Sequence, residues 1–90
     1  MNLVQEMATM NKAELLLFSK IEKALNFETN EAVLMKEDKK TTKVLSIGYR
    51  SLKEKNLVKR IKGVRSYMVN PKLIIPSSYD TAIRKWESIK

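Results

Sequence analysis

The first part of the chain carries apolar residues at the spacing of an amphipathic helix. They are Leu3, Val4, Met7, Met10, Leu17, Phe18, Ile21, Ala24 and Leu25. Between them, Asn11 is followed three residues later by Glu14, which is the pattern of a capping box at a helix N-terminus. Residues 1–26 are therefore predicted to be helical, as either one long helix or two short ones. The apolar stripe either covers the core or, through its first four members, forms a dimer interface.

The middle of the chain predicts two more helices with a turn between them. Thr29 or Asn30 is expected to cap a short helix over about residues 30–37. The side chains expected to face inwards are Leu34 and either Val33 or Met35. Residues 38–40 interrupt the apolar pattern and are typical of a turn. The next helix is therefore expected to begin beyond them.

That next helix is predicted over about residues 43–55, with Thr41 or Thr42 as its cap. At about 100° per residue, its side chains separate into two faces. The inner face contains Leu45, Gly48, Tyr49 and Leu52. The outer face contains Lys43, Ser46, Ile47 and Arg50. A glycine inside a helix costs about 1 kcal/mol relative to alanine, so Gly48 indicates that the preceding helix approaches closely there.

Beyond Asn56, a residue type that often ends helices, the pattern becomes that of a β-hairpin. Residues 57–61 and 64–69 are β-like, and Lys62-Gly63 is expected to form the turn because glycine accepts a positive φ. Pro71 then ends the return strand, since proline cannot donate to a ladder. The cations that surround the hairpin tip are Lys59, Arg60, Lys62 and Arg65.

A last helix is predicted over residues 77–90, capped by Ser77 or Ser78. Its apolar stripe contains Tyr79, Ala82 or Ile83, Trp86 and Ile89. We expect this stripe to dock on the first helix of the same chain or of a second copy. The two terminal helices together provide enough apolar surface for a homodimer, although the same surface is also suited to covering the core of a monomer.

The composition narrows the chemistry that the chain can perform. Its 90 residues are enough for one domain, and it contains no Cys and no His. Disulfides, thiolate or imidazole metal sites and the common nucleophilic and acid–base catalysts are therefore excluded. No glycine-rich phosphate loop, long apolar run or signal peptide is apparent. We expect a cytoplasmic protein that is not an enzyme, has no cofactor or small-molecule ligand, and does not enter a membrane.

The charge is concentrated in the middle of the chain. Of the formal net charge of +8, residues 36–72 carry +9, with twelve Lys or Arg against three Asp or Glu. Residues 1–35 carry −2 and residues 73–90 carry +1. A block of one sign within a folded domain raises the local potential and attracts phosphates. This block indicates a polyanionic partner, whereas the simpler interpretation is a basic face that aids solubility.

The order of helices, turn, helix and basic hairpin resembles a winged helix-turn-helix. A local segment also resembles the exit from the recognition helix of such proteins, namely Leu52-Lys53-Glu54-Lys55-Asn56-Leu57-Val58. The predicted fold is α+β and mostly α, with a three-helix core, a hairpin wing and an extra C-terminal helix. It forms one domain, made of an N-terminal helical segment (1–26), the helix-turn-helix and wing (27–71) and the last helix (77–90).

The resemblance implies that the protein binds double-stranded DNA through its third helix and its wing. On the helix, Arg50 is the candidate for a guanine contact and Ile47 for a thymine methyl group. The start of the helix is expected to hold a phosphate, and the wing to contact the flanking backbone or a minor groove. The candidate DNA-binding residues are Thr41, Thr42, Lys43, Ser46, Ile47, Arg50, Lys59, Arg60, Lys62 and Arg65.

A narrower resemblance covers residues 29–71. The wing return Tyr67-Met68-Val69-Asn70-Pro71, after the basic stretch at residues 59–64, is similar to the RepL-type plasmid and phage replication proteins. This likeness implies binding to a replication origin, whereas regulators of transcription or copy number use the same architecture. Asn56, where glycine is commoner, and the last helix depart from that family. A protein-interaction module that binds an acidic partner is the alternative function.

Overall fold

The computed structural model describes residues 1–89. In this part of the chain, about half of the residues lie in four helices, and the rest include a three-stranded antiparallel sheet. The helices are α1 (Leu3–Ala8), α2 (Lys12–Ala24), α3 (Lys39–Glu54) and α4 (Tyr79–Ser88). The strands are β1 (Glu31–Val33), β2 (Val58–Arg60) and β3 (Ser66–Val69). The predicted α+β class is confirmed. No helix within these residues is long and apolar enough to cross a membrane.

Two short helices form the N-terminal segment, and the predicted capping box separates them. The Asn11 side chain accepts a hydrogen bond from the Glu14 amide at 2.9 Å, while the Glu14 carboxylate accepts one from the Asn11 amide at 2.9 Å. This reciprocal pair satisfies amides that the first turn of α2 would otherwise leave unbonded. From α2, Leu17, Phe18 and Ile21 are fully buried in the core.

The helix predicted over residues 30–37 is wrong, because this segment forms β1 and an extended stretch that leads to α3. Its burial alternates with a period of two, with Ala32 and Leu34 buried and Val33 and Met35 exposed. Asn30, in the left-handed conformation at φ 63°, directs the chain into the strand. The Asn30 amide group donates to the carbonyls of Val69 at 3.3 Å and Ile74 at 2.5 Å. These long-range bonds override the local helical pattern.

Helix α3 begins at Lys39, earlier than predicted, because Asp38 is its cap. The Asp38 carboxylate accepts a hydrogen bond from the Thr41 amide at 2.7 Å, and a carboxylate is favourable at the positive end of a helix dipole. The prediction that Thr41 or Thr42 caps this helix is therefore wrong. At the other end Asn56 adopts the left-handed conformation, with φ 62°, which confirms it as the helix stop.

Helix α3 packs on α2 through Gly48. A Cβ atom at this position would collide with the backbone carbonyl group of Ala13. The predicted close approach of the preceding helix is confirmed, and that helix is α2. The buried faces of the two helices meet at Leu17 and Phe18 on one side and Leu45 and Leu52 on the other, within the main hydrophobic core.

A buried carboxylate fixes the C-terminal part of α3 to the start of α2. Glu14 is almost fully buried. Its Oε2 accepts a hydrogen bond from the Ser51 hydroxyl at 2.9 Å and forms an ion pair with the Lys55 ammonium at 2.8 Å. Burial by itself would raise the pKa of Glu14, but the hydrogen bonds from Lys55, the Asn11 amide and Ser51 outweigh it and hold the pKa below its ordinary value. Glu14 is therefore charged in the folded protein near neutral pH.

The sheet has the strand order β1-β3-β2. The predicted hairpin is present as β2 and β3, with Lys59 opposite Met68 and Arg60 opposite Tyr67. Both strands are shorter than the sequence predicted, and the loop over residues 61–65 is correspondingly longer. In this loop Gly63 has φ 121°, a backbone conformation that side chains disfavour. All four residues of β3 are buried, so both sides of this central strand are covered.

Helix α4 covers the side of the sheet that faces away from α2 and α3. Its Ala82 and Trp86 form a second buried cluster with Met68 of β3. Lys85 also forms an ion pair with Glu31 of β1 at 2.7 Å. The predicted docking of this helix on the first helix is therefore wrong, because β3 presents Met68 on its second side. Helix α4 starts after Ser78, whose side chain forms no capping hydrogen bond.

Candidate nucleic-acid interface

The outer face of α3 is exposed along its whole length. The predicted outward residues Lys43, Ser46, Ile47 and Arg50 are all exposed, whereas Leu45, Gly48 and Leu52 are buried. The predicted division of this helix into two faces is confirmed. Because α3 contains 16 residues, its exposed side is longer than the sequence indicated.

A polar stripe on this helix includes two cations that the sequence analysis missed. Its members are Lys39, Lys43, Ser46, Arg50 and Lys53, all exposed. At about 100° per residue these five positions fall within an arc of about 80°. The spacing is visible in the sequence, but a predicted helix start at about residue 43 leaves Lys39 out of the pattern, and Lys53 is not among the residues predicted for the outer face. The stripe therefore carries four cations and one hydroxyl.

The loop between β2 and β3 stands beside this stripe. Between them lies a groove with a volume of about 280 Å³, to which α3 contributes Thr42 and Ser46 and the hairpin contributes Arg60 and Arg65. A second recess adjoins it along α3 and is lined by Ser46, Arg50, Lys53 and Arg60, among others. Since Ser46 and Arg60 line both depressions, Arg50 and Arg65 lie on the same side of the molecule.

We call this combined surface the basic face. It consists of the α3 stripe together with Thr42, Arg60, Arg65 and Lys36, which lines a third depression next to Lys39, Lys43 and Arg65. Lys36 was also missed in the sequence, because the extended segment that carries it was predicted to be helical. The basic face thus brings Thr42, Lys43, Ser46, Arg50, Arg60 and Arg65 together from the predicted set. Ile47 is exposed on α3 beside them, and Lys62 is exposed on the loop.

The two hairpin arginines of the basic face are held by neighbouring groups. The Arg60 guanidinium carbon lies 4.6 Å from the centroid of the Tyr49 ring and 5.7 Å from that of Tyr67. The Arg60 amide donates to the Tyr49 hydroxyl at 2.8 Å. Arg65 adopts the left-handed conformation with φ 55°, and its Nε donates to the Leu34 carbonyl at 3.1 Å. Both arginines remain exposed.

Lys59 does not belong to the basic face, contrary to the sequence analysis. Successive residues of a strand point to opposite sides of a sheet, so Lys59 faces α4 while Arg60 faces α3. The Lys59 ammonium donates to the carbonyls of Trp86 at 3.0 Å and Ile89 at 3.1 Å. It also lies 4.4 Å from the centroid of the Trp86 ring. Its charge is used inside the molecule, at the negative end of the α4 dipole.

At the start of α3, where the sequence predicted a phosphate site, a carboxylate of the chain itself caps the helix. The Thr41 amide is bonded to the Asp38 carboxylate, and hydrogen bonds from the amide and the hydroxyl of Thr41 hold the pKa of Asp38 below its ordinary value. A charged carboxylate at this end of the helix repels a phosphate. Thr41 is half-buried, whereas Thr42 is exposed in the groove with its hydroxyl within 3.4 Å of the Glu37 carbonyl.

The basic face has the chemistry of a surface that binds anions. Its guanidinium and ammonium groups donate hydrogen bonds and accept none, and the hydroxyls of Thr42 and Ser46 add neutral donors. Within residues 1–89, no group of three or more acidic side chains is placed to hold a metal ion. Comparisons of the chain with protein-family models, curated proteins and solved structures found no match.

Proposed function

We propose that this protein binds double-stranded DNA through the basic face, with the outer side of α3 in the major groove. The observation that carries the proposal is the stripe from Lys39 to Lys53 on an exposed helix, next to Arg60 and Arg65 of the hairpin. The major groove of B-DNA is wide enough for a helix. Cations on both sides of such a helix would neutralise the phosphates that border the groove.

Within this interface the residues divide by position. Ser46, Ile47 and Arg50 lie in the central turns of α3, where a helix comes closest to base edges, so they are assigned to sequence recognition. Lys39 and Lys53, one at each end of the stripe, are assigned to phosphates, as is Lys62 on the loop. This division follows the general rule that backbone contacts position a protein and base contacts specify a sequence.

The proposed architecture is a winged-helix-like arrangement in which α2 supports α3. The β2–β3 hairpin beside α3 and the exposed loop over residues 61–65 support it. Because residues 31–33 form a strand, the two helices are joined by residues 25–38 rather than by a short turn. The loop would then contact the DNA backbone beside the groove that α3 occupies.

The test of DNA binding is its salt dependence on the full chain. With about five to eight phosphate contacts, the logarithm of the binding constant should fall against the logarithm of salt concentration with a slope of about −4 to −7. Fluorescence anisotropy with a labelled duplex at several salt concentrations measures this slope. The absence of binding, or binding that does not respond to salt, would contradict the proposal.

Two biological roles are consistent with such binding: a repressor-like regulator of transcription or copy number, and a plasmid or phage replication protein that binds an origin. The sequence resemblance to RepL-type proteins favours the second. Random-site selection on the purified protein distinguishes them. A palindromic consensus would support a dimeric regulator, whereas tandem repeats would support origin binding.

A homodimer receives support only from Val4 of the predicted interface, because Leu3 and Met7 pack against the core of their own chain and Met10 is buried in it. Val4 on α1 is 77% exposed, whereas Ala82 and Trp86 of α4 are buried against the sheet of their own chain. A dimer would therefore form through α1 and not through both terminal helices. Sedimentation at micromolar concentration, with and without DNA, tests this, and a monomer under both conditions would contradict the dimer.

A second candidate function is binding of an acidic protein partner through the same face. Apolar side chains border the groove: Met35 is 84% exposed and Val64 is 70% exposed. An amphipathic segment with acidic residues would match apolar groups beside cations. Titration with random-sequence duplex at physiological salt separates the two functions, since an interaction module should show little affinity for it.

A further inference from the structure

Arg60 differs from the α3 cations of the basic face in how firmly its side chain is held. Its guanidinium lies over the Tyr49 ring, and Tyr67 approaches from a second side, with the two ring centroids 5.7 Å apart in an edge-on arrangement. Lys39, Lys43 and other cations of α3 have long side chains without such support. An arginine that is already ordered loses less conformational entropy when it binds a ligand.

Tyr49 fixes the backbone of Arg60 as well as its side chain. Strand β2 is at an edge of the sheet, and amides along it point alternately towards and away from β3. The amide of Ile61, the residue after the strand, points towards β3 and donates to the Ser66 carbonyl at 3.0 Å. The Arg60 amide therefore points away from β3, and it donates to the Tyr49 hydroxyl at 2.8 Å. One residue of α3 thus sets both the position and the orientation of this arginine.

The way in which Arg60 is held leaves its recognition groups unused. The guanidinium carbon lies against the two rings, and within residues 1–89 the only hydrogen bond that Arg60 donates to a side chain comes from its backbone amide, so its side-chain N–H groups have no partner. Within residues 1–89, no carboxylate forms an ion pair with Arg60. A planar pair of donors held in one place matches two coplanar acceptors, such as O6 and N7 of a guanine.

Arg60 lies next to the central turns of α3 rather than at the tip of the loop. It lines one recess with Ser46 and Arg50, on the central turns of α3. Lys62 and Gly63 lie further along the loop. We infer that Arg60 is a second sequence-reading arginine, positioned by Tyr49, which binds a guanine next to the bases contacted by α3. This inference rests on the proposed DNA binding and changes the role of Arg60 from a backbone contact to a base contact.

The inference is tested by comparing Arg60→Lys with Lys62→Ala. Arg60→Lys keeps the charge but removes the planar donor pair, so we expect the ratio of specific to random-duplex affinity to fall about 10- to 100-fold while the salt slope stays unchanged. Lys62→Ala should weaken both duplexes equally and reduce the salt slope by about one. Each affinity is measured by anisotropy on the site obtained by random-site selection and on a random duplex.

Tyr49 is tested separately as the positioning residue. Tyr49→Phe keeps the ring and removes the acceptor of the Arg60 amide, so it should reproduce the loss of sequence preference in smaller measure, again with an unchanged salt slope. Thermal unfolding of each variant shows whether it is folded. A change in the DNA provides a second measurement. Replacing the contacted guanine by 7-deazaguanine, which lacks the N7 acceptor, should weaken binding of the wild-type protein and leave binding of the Arg60→Lys variant unaffected.

The outcomes separate this inference from the proposed function. If the wild-type protein does not bind duplex DNA, the proposed function is wrong and the inference fails with it. If the wild type binds a selected site, but Arg60→Lys keeps the same sequence preference and selects the same consensus, DNA binding stands and the role of Arg60 in recognition is refuted. A loss of preference confined to one guanine position, together with the 7-deazaguanine result, supports it.

Discussion

Lys59 and Arg60 are neighbours in the same strand, yet their side chains lie on opposite sides of the sheet. Lys59 donates to backbone carbonyls of α4 and lies against Trp86, so its charge stabilises the fold. Arg60 lies against Tyr49 on the opposite side and stays exposed. The difference shows that a cation count over a segment overstates its interface. What packs against each side of a strand decides whether a charge is internal or presented to a partner.

The largest expected effect is the loss of stability on removing Trp86, which packs α4 against the sheet. Trp86→Ala deletes a buried aromatic ring that contacts Met68 and Ala82, and such truncations cost about 3–5 kcal/mol. We expect the free energy of unfolding, measured with urea, to fall by this amount. The exposed residue Arg84 offers a control on the same helix, since Arg84→Ala should change stability by less than about 0.5 kcal/mol.

The next largest effect is on sequence recognition by the outer face of α3. Arg50→Ala should cost about 1–3 kcal/mol at one base pair and relax sequence preference there, without a comparable loss on random duplex. Affinities for the selected site and its single-base variants measure this. Lys62→Ala is the matched cation change, and it should weaken all sequences alike. If both substitutions acted in the same way, the division between recognition and positioning would be wrong.

A change at Glu14 should act through the connection between α2 and α3. Its pKa is lowered in the folded protein, so its contribution to stability is complete above the ordinary value of 4.5 and is lost as the pH falls through the lower folded pKa. Glu14→Gln should reduce the free energy of unfolding near neutral pH by about 1–3 kcal/mol, the cost of leaving a buried polar group without its hydrogen-bond partner. Urea unfolding at several pH values measures both effects, and an equally steep acid dependence in the variant would argue against this assignment.

The smallest effect separates Lys59 from the interface. Lys59→Met keeps most of the side-chain stem and removes the ammonium group from Trp86 and the α4 carbonyls. We expect the free energy of unfolding to fall by about 0.5–1 kcal/mol, the size of an exposed cation–π contact. The salt slope of DNA binding should not change. A decrease in that slope by about one, as predicted for Lys62→Ala, would instead place Lys59 on a phosphate.

Local signals in the sequence were sufficient where neighbouring residues decide the structure. The capping box of Asn11 and Glu14, the two faces of α3 and the helix stop at Asn56 all depend on contacts within a few residues. Local signals failed at residues 30–37, where hydrogen bonds from the Asn30 side chain to the carbonyls of Val69 and Ile74 favour a strand. No short-range pattern contains those partners.

The candidate interface was predicted in part for the same reason. Exposure of Arg50 and its neighbours followed from helical periodicity, whereas Lys39 depended on a helix start that Asp38 shifted. Lys59 was misassigned because the alternation of a strand says which residues share a side but not what covers that side. The support of Arg60 by Tyr49 joins α3 to β2, and no short-range pattern in the sequence predicts a contact between these two elements.

The burial of β3 on both sides has a consequence for synthesis of the protein. Its pairing with β1 and β2 can form once the hairpin has left the ribosome, but Met68 stays uncovered until α4 emerges. Until then the nascent chain exposes an apolar strand surface, and such surfaces promote aggregation. A chain that ends before α4 should therefore be retained by chaperones, whereas the full chain should be released from them.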